Sequence, residues 1–354
     1  MFIKSAFTPL LVLAALTLGS DAQNYCKGKY AKNADNCSKF GFGVLKDCVN
    51  ESNGTTFYDL KNFPPGVGFS DAKTKLKSEL MTNEFEQGTT TWRYQNVEND
   101  HDQRGWTCGR IGFTTGTNDA YAVAKKFTSL VSNSPLAPLL PELARLSALS
   151  FCDKAGRGDI SQLGSFPNAW KEAACDIHMQ DTQDNFTENM YMKPALRFAA
   201  LAGVTSNLGK AIFFDTIIQH GWQYTEPLIN IYRLLELNGL KSSSESEQDY
   251  LLRFLDTREQ MLCCNDAAWS SAADRTEDLR DVVKKGDLEM SGDVTLNRYG
   301  ATITGNENPF ALIEQECPGS RNDSQKTKKG KTGNKTNKAK KTKKAKKTSP
   351  KRHH

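Results

Sequence analysis

Between Asp119 and Cys263 the apolar residues recur at helical spacing almost without a break, and this feature limits the fold more than any other. Ala120, Val123, Phe127 and Leu130 make one helical face, and Leu139 to Leu149 makes a second helix with Pro141 in its first turn. Gly156 to Pro167 reads as a loop. Asn168 then opens a helix reaching about Asp184, and another runs from Pro194 to Ala202. Asn207 to Gly221 is strongly apolar, with Ile212, Phe213, Phe214, Ile217 and Ile218. Thr225-Glu226-Pro227 caps a helix ending near Asn238-Gly239, Ser242 to Glu247 is a polar linker, and Tyr250 to Cys263 is amphipathic. A mainly α (α+β) fold follows.

The strands belong at the edges of this helical body. Ser70-Asp71 can cap a helix with Ala72, Leu76 and Leu80 on one face, ending near Glu86 with Gly88 as its stop. Thr89 to Phe113 is rich in Thr, Trp, Tyr, Val and Ile and broken by Gly, which predicts short strands or a hairpin. Beyond Asp287 only short strand-like pieces such as Tyr299 to Thr304 remain.

Four segments are expected. Residues 1–22 read as a secretory leader, with Lys4, an apolar run from Leu10 to Leu18, and Ser20-Asp21-Ala22 as the cleavage site. That run is too short to span a bilayer. Residues 23–69 form a cysteine-containing arm with too few apolar residues for a core of its own, packed on the body or serving as a small carbohydrate-binding appendage. Residues 70–317 form the catalytic body, and 318–354 a Lys-rich, disordered tail. All nine cysteines follow the leader, so most should pair in an oxidising compartment and at least one is left over. No C-x-x-C pair or histidine cluster points to a metal, and no cofactor is expected. Sequons at Asn36, Asn50, Asn53, Asn185, Asn322 and Asn334 suit a secreted glycoprotein.

Charge divides the chain. From Arg321 to Arg352 there are fifteen Lys and Arg against one acid, Asp323; the other 31 bases and 40 acids leave the rest at −9. An acidic groove would concentrate a polycationic ligand, while the tail suits an anionic wall polymer or surface, or serves only solubility.

The chemistry concentrates between Asn83 and Asp119. Glu86 closes the first helix, and Asp102 follows within Asp102-Gln103-Arg104-Gly105-Trp106-Thr107. Two acids flanking a groove are what glycosidic cleavage needs, one donating a proton and the other activating water. Glu84 is a rival acid, though on a helix it points away from Glu86. An acid that must keep its proton calls for an apolar or anion-rich setting around Glu86. Asp215, inside an apolar run, lies on a minor polar face or is buried and paired, with Arg258 its candidate partner. His220 reads as a helix C-terminal cap interacting with the dipole.

Glu86 with Trp92, Arg104-Gly-Trp-Thr107, Gly112-Phe-Thr-Thr-Gly-Thr-Asn-Asp119, Ala211-Ile-Phe-Phe-Asp215 with His220-Gly221, and Phe254-Leu-Asp-Thr-Arg258 together resemble glycoside hydrolase family 46, the chitosanases. The collinear match spans roughly Leu76 to Thr302. The resemblance implies a lysozyme-like, two-lobed helical fold and endo-hydrolysis of β-1,4-linked glucosamine polymers with inversion. By position, Glu86 would be the acid and Asp102 the base, with Thr107 holding the attacking water. Arg104 would sit beside Asp102, Asp119 would bind a glucosamine ammonium, and Asp215 and Arg258 would form a buried network supporting the base. Inversion needs about 6.5–9.5 Å between the two carboxyls.

A shortened span and three positions depart from the family pattern. The span from Trp92 to Arg104 is about two residues short, and Trp106 replaces a tyrosine. Ala273 falls nearest a further network arginine, with Arg275 two residues on, and Cys264 stands where a substrate-binding glutamate is usual. The chain is expected to act as a monomer on chitosan. The competing readings are a lysozyme-like peptidoglycan hydrolase and a non-catalytic polyanion binder using the tail.

Overall fold

The computed structural model describes residues 26, 37–45, 48, 60–222, 226–265, 270 and 272–319. The expected leader, nearly all of the Lys-rich tail, and the sequons other than Asn185 lie outside the described residues.

Helix α1, Ala72–Gln87, starts where Asp71 accepts the Thr74 amide (2.8 Å) and ends at Gly88, whose positive φ of 63° closes the C-terminus. Strands β1 (Val97–Glu98), β2 (Thr107–Cys108) and β3 (Phe113–Thr114) form an antiparallel sheet, Glu98 opposite Thr107 and Thr107 opposite Thr114. Helices α2 (Asp119–Leu130), α3 (Leu140–Ser147), α4 (Lys154–Arg157), α5 (Phe166–Ala174) and α6 (Ile177–Phe186) follow. The helix expected from Asn168 to Asp184 is thus two, because the Asp176 side chain takes the His178 amide and starts α6 afresh. Leu130, expected on the buried face of α2, is about half exposed at its end.

After a π-helical turn over Thr187–Met192 come α7 (Lys193–Ala202), α8 (Asn207–His220), α9 (Ile231–Asn238), α10 (Glu247–Cys264) and α11 (Ala273–Lys284). Hairpin β4–β5 (Val294–Leu296, Ala301–Ile303) and α12 (Ala311–Glu316) are the last elements of the described residues. Helix α9 starts six residues later than Thr225 because Asn230 caps it, accepting the Arg233 amide. Helix α11 had no counterpart in the sequence reading; its apolar residues Leu279, Val282 and Val283 are diluted by nearby charges.

Two separate apolar cores make two lobes. Helix α8 is apolar on nearly every side and so must be surrounded; every residue from Asn207 to Ile217 is buried. Around it pack Leu80, Phe198, Phe254, Leu279 and Val294, and Phe213 stacks on Phe254 with centroids 4.9 Å apart. Each such buried aromatic contributes about 1.5–3 kcal/mol. The second core joins Phe113, Val123, Phe127, Leu143, Phe166, Trp170 and Met179. Tyr191 and Ile218 touch both cores, at the junction.

The arm has no core of its own within its described residues. Phe40 is buried in the α8 core, with Phe42, Leu60 and Phe63 packed against it. Disulfides Cys26–Cys263, Cys37–Cys264 and Cys48–Cys152 tie the arm down, and Cys175–Cys317 closes the body. Cys108 is the free, buried ninth. Among the described residues no helix is long and apolar enough to cross a membrane.

Candidate active site

A cleft of about 610 Å³ lies between the lobes. Glu86, Ile218, Gln219, Glu226, Ala272 and Arg275 line it from the α8 side, and Asp100 to Arg104, Thr107, Gly116, Thr117 and Phe151 from the sheet side. Glu86 and Asp102 therefore enter one groove from different lobes.

Glu86 is held by a buried ion network. Arg275 Nη2 donates to Glu86 Oε1 at 2.5 Å, while Arg275 Nε reaches both oxygens of Asp215 at 2.9 and 3.1 Å. Arg258 Nη1 donates to Asp215 Oδ2 (2.8 Å) and Thr216 Oγ1 (3.0 Å), and Nη2 to Gln219 Oε1 (2.5 Å). Asp215 and Arg258 are fully buried and paired, the only affordable way to keep such charges inside. Burial works against the charge on Arg275, but Asp215 and Glu86 outweigh it and hold the guanidinium firmly cationic.

This overturns two expectations. The network reaches the assigned acid, Glu86, and its contacts stop short of Asp102. Nor is Glu86 set among anions: its nearest partner is a guanidinium shared with Asp215. Glu84, the rival acid, is buried and does not line the cleft. His220 is no cationic cap either. Burial first, then Arg258, pushes its pKa well down, so the neutral ring accepts from Arg258 Nε at 3.2 Å and donates through Nδ1 to the Ile229 carbonyl at 2.8 Å.

Asp102 sits on an exposed turn whose shape is fixed from both sides. Its neighbours His101 and Gln103 have φ of 55° and 67°, a left-handed geometry costly for side chains with a Cβ. Gly116 backs the turn, its amide bonding the Arg104 carbonyl at 2.8 Å; a Cβ there would lie 2.7 Å from that oxygen. Gly158 approaches the Gln103 carbonyl as closely, where a Cβ would sit at 2.6 Å. Arg157 anchors this wall, donating to the Gly116 and Leu149 carbonyls and to Asn118 Oδ1 at 2.7, 2.5 and 2.5 Å.

Arg104 spans the cleft. Its amide bonds Asp102 Oδ1 at 3.0 Å, its Nη1 lies 3.7 Å from Asp102 Oδ2, and its Nη2 donates to Glu226 at 2.8 Å. Thr107 Oγ1 donates to Asp100 Oδ2 at 2.8 Å, so Asp100 joins the site unanticipated.

Asp119 is placed differently from the expectation. It is buried outside the cleft, Oδ1 accepting the Thr114 and Ala120 amides and the Thr117 hydroxyl, and Oδ2 the Tyr191 hydroxyl at 2.8 Å. Burial pushes its carboxyl above the usual range, against those hydrogen bonds. It organises the β3–α2 corner rather than facing a sugar ammonium. The groove is not surplus in acid either: Glu86, Asp100, Asp102 and Glu226 meet Arg104, Lys154, Arg157 and Arg275. Arg157 and Arg275 are buried, so the exposed charges of the lining are Asp100, Asp102 and Lys154, two acids against one base.

The model of glycosyl hydrolase family 46 matches residues 80–294, which include every element of the cleft described above. The chain belongs to glycosyl hydrolase family 46. It is 35% identical over 239 residues to a chitosanase of Bacillus subtilis (strain 168), covering 64% of this chain and 83% of that relative. A mutant chitosanase from Bacillus subtilis MY002 complexed with 6 GlcN superposes with a TM-score of 0.61 at 33% identity, over 67% of this chain and all of that one. A Gynuella sunshinyii family 46 chitosanase in complex with chitotetraose gives 0.60 at 26% identity, over 67% and 99%. The lysozyme-like helical fold of the family is thereby shown for this glycoside hydrolase.

The structure accounts for three of the departures. Arg275, not Ala273, supplies the network arginine, and Ala272 lines the cleft nearby. Cys264 is consumed by its bridge to Cys37, so no carboxylate stands there. Trp106 fills its position by packing into the sheet-side core and donating Nε1 to the Leu163 carbonyl at 3.2 Å. Sequence reasoning missed Asp100 and Glu226. Asp100 precedes the recognised motif by two residues, and Glu226 lay within what read as a helix cap.

Proposed function

We propose that this glycoside hydrolase cleaves chitosan internally at β-1,4 linkages between glucosamine residues, with inversion, outside the cell. One observation carries the reading: Glu86 and Asp102 face one interlobe groove from opposite lobes, each fixed by its own surroundings. Glu86 protonates the leaving glycosidic oxygen. Asp102 takes a proton from a water that attacks the opposite face of the sugar, and Thr107, on β2 beside it, holds that water. With its proton given to Asp100, the Thr107 oxygen can accept one hydrogen of that water while Asp102 takes the other.

Arg275 orients Glu86, and Asp215 shares the same guanidinium, so its positive charge is not given to Glu86 alone. Arg104 keeps Asp102 directed into the groove. The exposed Asp100 and Asp102 supply the attraction for an amino sugar, an attraction that falls as salt rises. The related chitosanases found with glucosamine oligomers support the substrate class. The leader-like N-terminus and four disulfides support secretion.

The test is sugar release from chitosan, chitin and bacterial cell walls by the full chain. Rapid loss of chitosan viscosity, with little release from the other two, is expected. Release chiefly from cell walls would make it a peptidoglycan hydrolase. Asp102→Asn should lower chitosan hydrolysis at least a hundredfold with Tm unchanged, since Asp102 is exposed and outside either core.

A further inference from the structure

We infer that a single internal water, bound behind Glu86, is part of the acid's support, and that Thr82 is a positioning residue acting through it. This rests on the reading of Glu86 as the proton donor. A small cavity lies on the side of Glu86 away from the groove, bounded by Glu79, Thr82, Asn83, Glu86, Arg110, Ile111 and Phe214. About 10 Å³ of it is open to the centre of a water-sized sphere, enough for one water.

Its walls carry three buried polar atoms without a protein partner: Thr82 Oγ1, Asn83 Oδ1 and Arg110 Nε. Unpaired buried groups of this kind cost about 1–3 kcal/mol each, and internal waters typically make about three hydrogen bonds to just such groups. The set is chemically complete. Arg110 Nε donates, Asn83 Oδ1 accepts, and the Thr82 hydroxyl can do either.

Each partner is fixed by its other bonds. Arg110 lies 3.9 Å over the Trp92 ring, with Nη1 on Asp184 at 2.6 Å and Nη2 3.7 Å from Glu79. Asn83 Nδ2 holds the Thr89 and Thr91 carbonyls at 2.6 and 3.0 Å. Thr82 has only its hydroxyl rotor to adjust.

That rotor gives the water its use. When Thr82 accepts from the water, one water lone pair remains to take the proton of a neutral Glu86. When Thr82 donates, one water hydrogen remains for the Glu86 carboxylate. The same water thus serves the acid before and after it gives up its proton, on the side not occupied by Arg275. The charged groups around Glu86 are Arg275 from α11, Asp215 from α8, Arg258 from α10, and Arg110 and Glu79 across the cavity.

Two measurements test this. A crystal structure of the wild-type chain at about 1.5 Å should show a water within hydrogen-bonding distance of Arg110 Nε, Asn83 Oδ1 and Thr82 Oγ1; a cavity without that water overturns the inference. Thr82→Val, which keeps shape and removes the hydroxyl, should lower kcat on chitosan about tenfold with KM within twofold, and Thr82→Ser should restore it. Wild-type kcat in Thr82→Val, or a loss that Ser fails to rescue, would equally overturn it. An active Glu86→Gln would instead sink the acid assignment, while the crystallographic result would stand or fall alone.

Discussion

At the scale of single residues the site rests on Asp215, which is fully buried and holds two guanidiniums. Asp215→Ala leaves Arg258 buried without its carboxylate and Arg275 with Glu86 alone, a loss of about 3–5 kcal/mol. Thermal denaturation should show Tm falling by roughly 10 °C for a body of this size. His220 gives a pH signature of definite sign. Its folded pKa lies well below its unfolded value of about 6.5, so below that pH the unfolded chain binds a proton that the folded one refuses. Its contribution to stability should therefore fall by about 1.4 kcal/mol per pH unit on acidification below about pH 6.5. Urea titrations of wild type and His220→Asn at pH 7, 6 and 5 should differ in that slope. Part of this was legible early, because the apolar run around Asp215 left it either on a minor polar face or buried and paired, with Arg258 as the candidate partner. What the residues could not reveal was the direction of the network. Arg275 reaches Glu86 only once the fold brings the start of α11 to the end of α1, and α11 is too charged to stand out by hydropathy.

At the scale of elements, the helices were legible where apolar spacing or a cap dictated them, as in α1 between Asp71 and Gly88 and in α8. Failures came where a side-chain hydrogen bond decided the boundary. Asp176 splits one expected helix and Asn230 delays another, and neither changes the apolar pattern. Asp119 shows the same limit at the site. Its sequence position suits a groove, yet the β3–α2 corner turns it inward onto Tyr191 and backbone amides. Neutralising it should disturb that corner before it disturbs substrate affinity. Asp119→Asn is expected to lower Tm by several degrees and leave KM for chitosan within about twofold; a large rise in KM at unchanged Tm would return Asp119 to the substrate site.

At the scale of the molecule, two cores and an arm bound by three disulfides set the cleft. No pairing could be read from the cysteine spacing, since bridges such as Cys26–Cys263 join residues brought together only by the fold. The Cys48–Cys152 bridge joins the arm to the sheet-side lobe, while the other two reach α10. Replacing Cys48 and Cys152 by Ser should cost about 2–5 kcal/mol of stability. The two lobes are what bring Glu86 and Asp102 into one groove, and the stereochemistry of the product tests the roles proposed for them. Proton NMR of the reducing ends in the first minutes of chitosan hydrolysis should show α-anomers appearing before mutarotation. An initial burst of β-anomer would contradict the account.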